Sequence, residues 1–277
     1  MPPHSSAPGQ TRKWVYAGAH RAYLGEMIPY DELVEQAVSA PFSGWDFSWL
    51  GYRAVSADLS WSYDRFARSA LDQATRVLDV DTGGGELLAS LAPLPEATIA
   101  TEGYADNVPL ARCRLTPLGV DIRQHGAMDP LPVDDDSIDL VLNRHVRLDA
   151  ADLARVLRTG GVLVTQQVGC RNDADLNEAL GAPPVILPSA TNCEGAVKTL
   201  HEQGFEILEA AEEFPEFVFL DVGAIVYQLR AVPWQILDFD VDKYEPALRA
   251  LDQRMRTEGP FVAHNHRYLI RARRQAR

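Results

Sequence analysis

The sequence predicts an α/β protein whose sheet is doubly wound and mostly parallel. From Trp61 onwards, short apolar runs alternate with segments whose apolar residues have helical spacing, and strands that alternate with helices form parallel sheets. Three consecutive glycines follow the first apolar run, where a strand is expected to turn into a helix. With 277 residues, of which 46% are hydrophobic, the chain can bury a full core without disulfides.

Two segments precede this alternating region. Residues 1–18 are polar and rich in Pro and Ser, which predicts a disordered tail. Residues 19–60 begin with apolar residues at helical spacing, interrupted at Pro29, and continue with aromatic residues that have no regular period. We expect one or two short helices and an aromatic segment that together form a clasp over the core, with a substrate lid as the alternative.

Residues 61–277 are predicted to form one α/β domain with a helical insertion at about residues 214–260. The predicted strands are residues 76–80, 97–102, 120–125, 137–143, 161–168, 205–211 and 266–272. The predicted helices are residues 61–74, a helix that begins at 86, and residues 106–118, 150–157, 193–203, 221–232 and 242–256.

Charge and composition limit the partners. The 26 basic and 39 acidic residues leave a formal net charge of −13, which repels phosphate backbones and disfavours a nucleic-acid partner. The longest apolar stretch, residues 217–232, is too short and too interrupted by charges to cross a membrane. Cys113, Cys170 and Cys193 form no metal-binding or disulfide pattern. We therefore expect a cytoplasmic protein, monomeric or homodimeric, that acts on a small molecule.

The glycine cluster is the first candidate binding loop. In an open parallel sheet, the loop after the first strand usually holds the ligand, and in this chain it reads Asp81-Thr82-Gly83-Gly84-Gly85. Its spacing matches neither the dinucleotide-binding motif nor the P-loop. Glu102 ends the second strand about 20 residues later, where an acid can accept hydrogen bonds from both hydroxyls of a ribose. One ribose without a pyrophosphate favours an adenosine that carries an amino-acid tail.

These segments resemble the class I S-adenosylmethionine-dependent methyltransferases of the methyltransferase type 11 kind, whose domain is a Rossmann-like sheet of seven strands. The resemblance is carried by four segments of the sequence: VLDVDTGGGE, ATEGYADNV, LPVDDDSIDLV and ARVLRTGGVLV. WDFSWL, FLDVGAIVYQLRAVPW and GPFVAHNHRYLI further resemble an uncharacterised bacterial subfamily. That closer resemblance implies no particular substrate.

The resemblance implies S-adenosylmethionine as the cofactor and S-adenosylhomocysteine as its product. The glycines would line the methionine end, Glu102 would hold the ribose, and Asn143 would face the methyl group. The adenine would lie between the residues after Glu102 and the loop after the third strand. The residues implied to contact the cofactor are Asp79, Asp81, Thr82, Gly83, Gly84, Gly85, Glu102, Gly103, Tyr104, Ala127, Met128 and Asn143.

Two positions depart from the family pattern. Asp81 stands where the common motif has its first glycine, and Ala127 stands where the family usually places an acid that accepts from the adenine amino group. The second change removes one charge-assisted hydrogen bond, worth about 1.5–3 kcal/mol. The Asp81 carboxylate can pair with the ammonium or sulfonium of the cofactor, but it would repel the cofactor's carboxylate. Both departures leave turnover an open question.

On the acceptor side, His145 follows the fourth strand, and an imidazole with an ordinary pKa of about 6.5 suits a general base. A packed or exposed loop histidine is the alternative. Trp49 and Tyr227 are candidates for the acceptor pocket. No metal site is expected, because His264 and His266 lack a third ligand and the acids at 134–136 are typical of a turn.

Three functions remain open from the sequence. The first is an enzyme, a transferase that methylates an oxygen or nitrogen atom of a small molecule. The second is a methyltransferase-fold protein that binds the cofactor, or keeps only its cavity, without methylating: a scaffold, a regulatory subunit or a catalyst of another reaction. The third is an RNA methyltransferase, which the basic segment 267–277 favours and the net charge disfavours.

Overall fold

The structure is a computed structural model. It describes residues 28–42, 47–126, 128–184 and 192–276. Within these ranges the chain forms two compact units. The small-sheet unit comprises residues 28–42, 47–57, 173–184 and 215–265. The large-sheet unit comprises residues 58–126, 128–172, 192–214 and 266–276.

The described residues form strands and helices that are numbered separately in chain order. The strands are β1 (Ala54–Ser56), β2 (Arg76–Val80), β3 (Ala97–Glu102), β4 (Asp121–Gln124), β5 (Ile138–Arg144), β6 (Leu157–Val168), β7 (Phe205–Glu213), β8 (Glu216–Phe219), β9 (Phe261–His264) and β10 (Arg267–Arg274). The helices are α1 (Tyr30–Ser39), α2 (Tyr63–Leu71), α3 (Glu86–Ser90), α4 (Asn107–Leu115), α5 (Ala150–Val156), α6 (Ala174–Ala179), α7 (Cys193–Glu202), α8 (Val222–Ala231) and α9 (Val241–Glu258).

The large-sheet unit confirms the predicted fold class. Its seven strands lie in the order β4-β3-β2-β5-β6-β10-β7. The first five of these are parallel, and β10 is antiparallel to both β6 and β7. The winding direction reverses between β2 and β5, and ligands of open α/β sheets bind at the carboxyl ends of the strands beside such a point. The loop after β2 therefore occupies the position expected of a binding loop.

Both faces of the large sheet are buried, which explains why its central strands are apolar at successive positions. On β5, Val141 packs into one core with α5 and α7, whereas Leu140 and Leu142 pack into the other core with α2, α3 and α4. Successive side chains of a strand point to opposite faces. A strand covered by helices on both sides is therefore apolar throughout rather than alternating.

The element boundaries differ from the predictions in a few places. The predicted helix 61–74 is limited to Tyr63–Leu71, and the predicted helix 106–118 ends at Leu115, followed by a 3-10 turn. The strand predicted at 161–168 begins earlier, at Leu157, because Leu157 pairs with Ile138 of β5 across an irregularity in the register.

The small-sheet unit contains the three-stranded antiparallel sheet β1-β8-β9 together with α1, α6, α8 and α9. Helix α1 packs on α8 so closely that a Cβ on Gly223 would lie 2.7 Å from the carbonyl oxygen of Leu33. Asp221 caps α8 by accepting from the Ala224 N–H at 2.8 Å, and its carboxylate pairs with Arg53 at 3.2 Å. These contacts join the start of the chain to the segment predicted as an insertion.

That insertion was predicted as helical, and the prediction is wrong for residues 216–219, which form β8. Helices α8 and α9 match their predicted positions. In the N-terminal region, α1 begins directly after Pro29, as the break in the pattern suggests. The predicted tail at 1–18 and the helical residues at 19–27 lie outside the described residues. No helix in the described part of the chain is long and apolar enough to span a membrane.

Candidate functional site

The loop from Asp81 to Gly85 connects β2 to α3. One of its glycines, Gly85, is packed against a neighbouring helix, and another, Gly83, is open to its surroundings. Gly85 has a φ of +80°, and a Cβ there would lie 2.7 Å from the Leu115 side chain, so this glycine permits the close packing of the loop on α4. Gly83 has a φ of +64°, and a Cβ there would meet no atom within 4 Å. The backbone at Gly83 is therefore open to an approaching ligand, as a binding loop requires.

Glu102 is fixed beside this loop. It ends β3, is only 3% exposed, and accepts hydrogen bonds from two backbone N–H groups. Its Oε2 lies 2.6 Å from the Gly83 nitrogen and its Oε1 lies 2.6 Å from the Tyr104 nitrogen. Burial and, less strongly, the charge of Asp81 raise its pKa, while the two N–H groups oppose that rise. Each carboxylate oxygen can accept a further hydrogen bond, which suits a pair of neighbouring hydroxyls.

Two exposed side chains lie at the same edge of the sheet. Tyr104 follows β3 and is 60% exposed, and Met128 follows β4 and is 76% exposed. β3 and β4 are parallel neighbours, with Glu102 opposite Gln124, so both side chains follow the carboxyl ends of adjacent strands. Exposed large apolar side chains near a polar loop suit a flat aromatic ligand. Gly103 lies between Glu102 and Tyr104, and Ala127 lies outside the described residues.

Asp79, on β2, has an altered acidity. Burial raises the pKa of its carboxyl, Thr82 and the charge of Arg144 oppose the rise, the charges of Asp81 and Glu102 add to it, and the resulting pKa is about 7. The site thus brings three carboxylates together at the ends of two adjacent strands. Like charges at short range disfavour one another's ionisation.

Asp81 adopts an unusual backbone conformation and pairs with a residue that the sequence analysis missed. Its φ is +50°, in the region that glycine adopts freely and that Asp tolerates better than most residues. Its Oδ1 lies 3.0 Å from Nε2 of His125, and its N–H donates to the Thr101 hydroxyl. A cavity of about 30 Å³ borders both members of the pair. His125 ends the strand predicted at 120–125. Its position at the carboxyl end of a parallel strand was the feature of the sequence that could have marked it as a candidate site residue.

Asn143 is fully buried at the end of β5, with its polar atoms engaged by protein groups. Its Oδ1 accepts from the Thr165 hydroxyl at 2.9 Å and from the Gln167 amide at 2.5 Å, and its Nδ2 donates to the Arg147 carbonyl at 3.2 Å. This network fixes the end of β5 against β6. The predicted role of Asn143 opposite a methyl group stays a prediction.

His145 is held in one orientation. Trp61 donates to the carbonyl oxygen of the Gln166 side chain at 2.9 Å, so the amide nitrogen of Gln166 faces Nε2 of His145 at 3.1 Å. The amide is a donor, which places the imidazole proton on Nδ1. Surrounding protein atoms, and then the charges of Arg144 and Arg267, lower the pKa of His145 below its ordinary value. A lowered pKa favours the neutral imidazole, and the role of His145 as a base stays a prediction.

Trp49 and Tyr227 belong to the small-sheet unit, where the structure brings them together. Their rings stack with centroids 4.7 Å apart at an interplanar angle of 23°. Tyr227 is only 1% exposed, and the Arg53 guanidinium lies 4.4 Å from the centre of the Trp49 ring. The pair thus contributes to the core of this unit, and its role in an acceptor pocket stays a prediction.

The other polar clusters have structural partners. His264 contacts Asp175 at 3.2 Å and His266 contacts Glu212 at 2.8 Å. The turn at 134–136 is closed by the Ser137 hydroxyl, which donates to the Asp134 carbonyl. Among the described residues, no group of three or more His, Cys, Asp or Glu side chains is arranged to hold a metal ion.

Comparison with known proteins matches this site to a family. A family model described as a methyltransferase domain matches residues 78–165, which contain the glycine loop, Glu102, His125 and His145. A curated relative, the ubiquinone biosynthesis O-methyltransferase of Ruegeria sp. (strain TM1040), is 24% identical over 198 residues, covering 68% of this chain and 78% of that protein.

Solved structures share the fold. A putative methyltransferase from Bacillus halodurans C-125 matches with a TM-score of 0.56 at 19% identity, covering 78% of this chain and 99% of the other. The YcgJ protein from Bacillus subtilis matches with a TM-score of 0.54 at 15% identity, with the same coverage of both chains. The family model thus matches a methyltransferase domain to residues 78–165, and these solved structures share the fold of this chain.

Proposed function

We propose that this protein transfers the methyl group of S-adenosylmethionine to an oxygen or nitrogen atom of a small molecule. The observation that carries the proposal is the position of Glu102, whose carboxylate is fixed by the N–H groups of Gly83 and Tyr104 beside an open glycine loop. A fixed acid at the end of the second strand of the sheet can accept from both ribose hydroxyls.

The other residues of the site fit the same ligand. The open backbone at Gly83 leaves room for the ligand, and the exposed side chains of Tyr104 and Met128 suit the two faces or edges of an adenine. Asp79 and Asp81 supply negative charge that suits the cationic end of the ligand. When bound, S-adenosylmethionine supplies a methyl group activated by a positively charged sulfur.

The acceptor is proposed to be small and not a polyanion. The net charge of −13 disfavours a nucleic-acid substrate. The lowered pKa of His145 and the Gln166 amide that faces its Nε2 favour a neutral imidazole with its proton on Nδ1, which suits a hydrogen-bond donor that orients an acceptor better than it suits a base. Methyl transfer can obtain much of its rate from positioning alone. The name of the curated relative, an O-methyltransferase, supports oxygen as one of the two candidate atoms.

Calorimetric titration with S-adenosylmethionine and S-adenosylhomocysteine tests the cofactor part of the proposal. Micromolar binding is expected for the wild-type protein, and Glu102→Ala should weaken it at least tenfold, because the variant loses the hydrogen bonds to both ribose hydroxyls. Glu96→Ala is the matched control, since Glu96 is an exposed acid just before the opposite end of β3. Absence of binding at millimolar ligand, or full affinity in Glu102→Ala, would contradict the proposal.

A transfer assay tests the reaction itself. The protein that binds the cofactor is incubated with S-adenosylmethionine labelled in its methyl group and with a panel of phenols, carboxylic acids and amines. Label in a small-molecule product that disappears in Glu102→Ala supports the proposal. Cofactor binding without transfer to any member of the panel favours the non-methylating alternative, and transfer to RNA instead would replace the small-molecule acceptor.

A further inference from the structure

The contact between Asp81 and His125 spans the end of a strand. Asp81 follows β2 and His125 follows β4, and β3 lies between these strands in the sheet. The backbone N–H of His125 also donates to the carbonyl oxygen of Glu102, which ends β3. The pair therefore links the loops on both sides of Glu102, next to the carboxylate proposed to hold the ribose.

This arrangement holds the Asp81 carboxylate inside the site. The side chain of His125 is only 7% exposed and that of Asp81 is 23% exposed. Nε2 of His125 faces the carboxylate, and its buried Nδ1 has no hydrogen-bond partner among the described residues. The imidazole therefore has one fixed contact, and that contact orients Asp81. A glycine at position 81 would place no charge at this point.

The charge of Asp81 acts on the neighbouring acids. It is among the causes that raise the pKa values of Asp79 and of Glu102. The positively charged side chain that acts on Asp79 is Arg144, which opposes the rise in its pKa. Negative charge at the ends of β2 and β3 thus raises the pKa values of neighbouring acids, and an added positive charge there would favour their ionised forms.

We propose that Asp81, oriented by His125, makes the cofactor site select for positive charge, so that it favours S-adenosylmethionine over S-adenosylhomocysteine. The two ligands differ by one methyl group and by the positive charge on sulfur. A carboxylate in the site favours the charged ligand and has little electrostatic effect on the neutral sulfur of the product. The selection would assist product release. This inference rests on the proposed function, because it takes the glycine loop as the binding loop for both ligands.

The test is a calorimetric titration of both ligands with the wild-type protein, Asp81→Asn, Asp81→Gly and His125→Gln. The measured quantity is the ratio of the two dissociation constants. In both Asp81 variants we expect this ratio to shift by about tenfold towards S-adenosylhomocysteine, the lower end of the effect that one neighbouring charge has on an ionisation equilibrium. His125→Gln should shift the ratio in the same direction by a smaller factor, since the carboxylate remains and the more flexible glutamine amide orients it less.

Asp121→Asn is the matched control. Asp121 begins β4, at the end of that strand opposite His125, and pairs with Arg123. This variant removes the same charge from the same unit and should leave the ratio within twofold of the wild-type value. Raising the salt concentration should reduce the selectivity of the wild-type protein more than that of Asp81→Asn.

The outcomes separate this inference from the proposed function. If the wild-type protein binds both ligands and the ratio is unchanged in both Asp81 variants, the charge-selection role is wrong and the binding site stands. If the wild-type protein binds neither ligand, both ideas are wrong. Asp81→Gly guards against a folding defect, because glycine adopts a φ of +50° without strain.

Discussion

Replacing Asp79 by asparagine is expected to stabilise the protein at neutral pH in the absence of cofactor. Burial, with the charges of Asp81 and Glu102, raises the pKa of Asp79 from 3.8 to about 7. Each pK unit corresponds to about 1.4 kcal/mol, so the ionised carboxyl destabilises the native state by about 4 kcal/mol at most. Asparagine has nearly the same shape and carries no charge.

The pH range follows from the same values. An aspartate in the unfolded chain ionises near pH 4, and Asp79 in the folded protein ionises near pH 7, so between these values the folded state holds the additional proton. The contribution of Asp79 to the free energy of unfolding is therefore retained below about pH 4 and is lost as the pH rises through about 7. The advantage of Asp79→Asn over wild type should grow between pH 4 and 7 and stay constant above.

Asp139 provides a control of opposite sign on the neighbouring strand. Although burial alone would raise its pKa, hydrogen bonds from Thr75, Arg158 and Arg76 lower it below its ordinary value. The backbone N–H groups of Thr75 and Arg76 both lie 3.0 Å from its Oδ2. Asp139→Asn should therefore destabilise the protein at neutral pH by about 1–3 kcal/mol, and this loss should diminish as the pH falls towards the acidic range.

Urea unfolding followed by circular dichroism at pH 5, 6, 7 and 8 measures both effects, on protein freed of any cofactor retained through purification. The three curves to compare are those of the wild type, Asp79→Asn and Asp139→Asn. A lower free energy of unfolding for Asp79→Asn at pH 8, or a difference from wild type that does not change between pH 5 and 8, would show that the pKa of Asp79 is not raised.

Three further predictions concern packing and protonation. Gly85→Ala should lower the free energy of unfolding by about 2–4 kcal/mol in thermal or urea unfolding, since its Cβ would lie 2.7 Å from Leu115 at a φ of +80°. A loss of less than about 1 kcal/mol would show that the loop can move away from Leu115. Gly223→Ala should lower it by about 1–3 kcal/mol, because its Cβ would lie 2.7 Å from the Leu33 carbonyl, and unchanged stability would refute the close packing of α1 on α8. In nitrogen-15 NMR spectra, His145 should stay neutral with its proton on Nδ1 from pH 5 to 8, because its pKa is lowered; a titration midpoint near 6.5 would refute this.

The central strands of the large sheet were predictable from the sequence because helices cover both of their faces, so that apolar residues occupy successive positions. β2 and β5 are apolar at consecutive positions, and burial between two helical layers requires this. The small sheet was missed for the opposite reason. Its strands have three or four residues each, too few to show a period of two, and β1 pairs with β8 across more than 150 positions of sequence.

The candidate site shows the same limit. The proximity of Glu102 to the glycine loop was predictable because it depends on spacing along one stretch of chain. The contact of His125 with Asp81 depends on the order β4-β3-β2, which brings together residues 44 positions apart. The lowered pKa of His145 likewise depends on burial in the fold and, less strongly, on the charges of Arg144 and the distant Arg267. Local patterns identify the residues of a site, whereas the acidity of each residue is set by neighbours that only the fold supplies.

The acids of the site link its stability to its proposed ligand. In the free protein, the ionisation of Asp79 destabilises the native state, and the charges of Asp81 and Glu102 contribute to this effect. A cation bound beside these carboxylates would lower their pKa values again and recover part of that free energy. The free energy that ligand binding recovers at Asp79 cannot exceed the roughly 4 kcal/mol lost when this carboxyl ionises, which corresponds to about three decades of affinity. Asp79→Asn removes this charge and should therefore have two linked effects: it should stabilise the free protein, and it should weaken the binding of a cationic ligand. Such a trade of stability against binding is expected where a destabilising group serves a ligand.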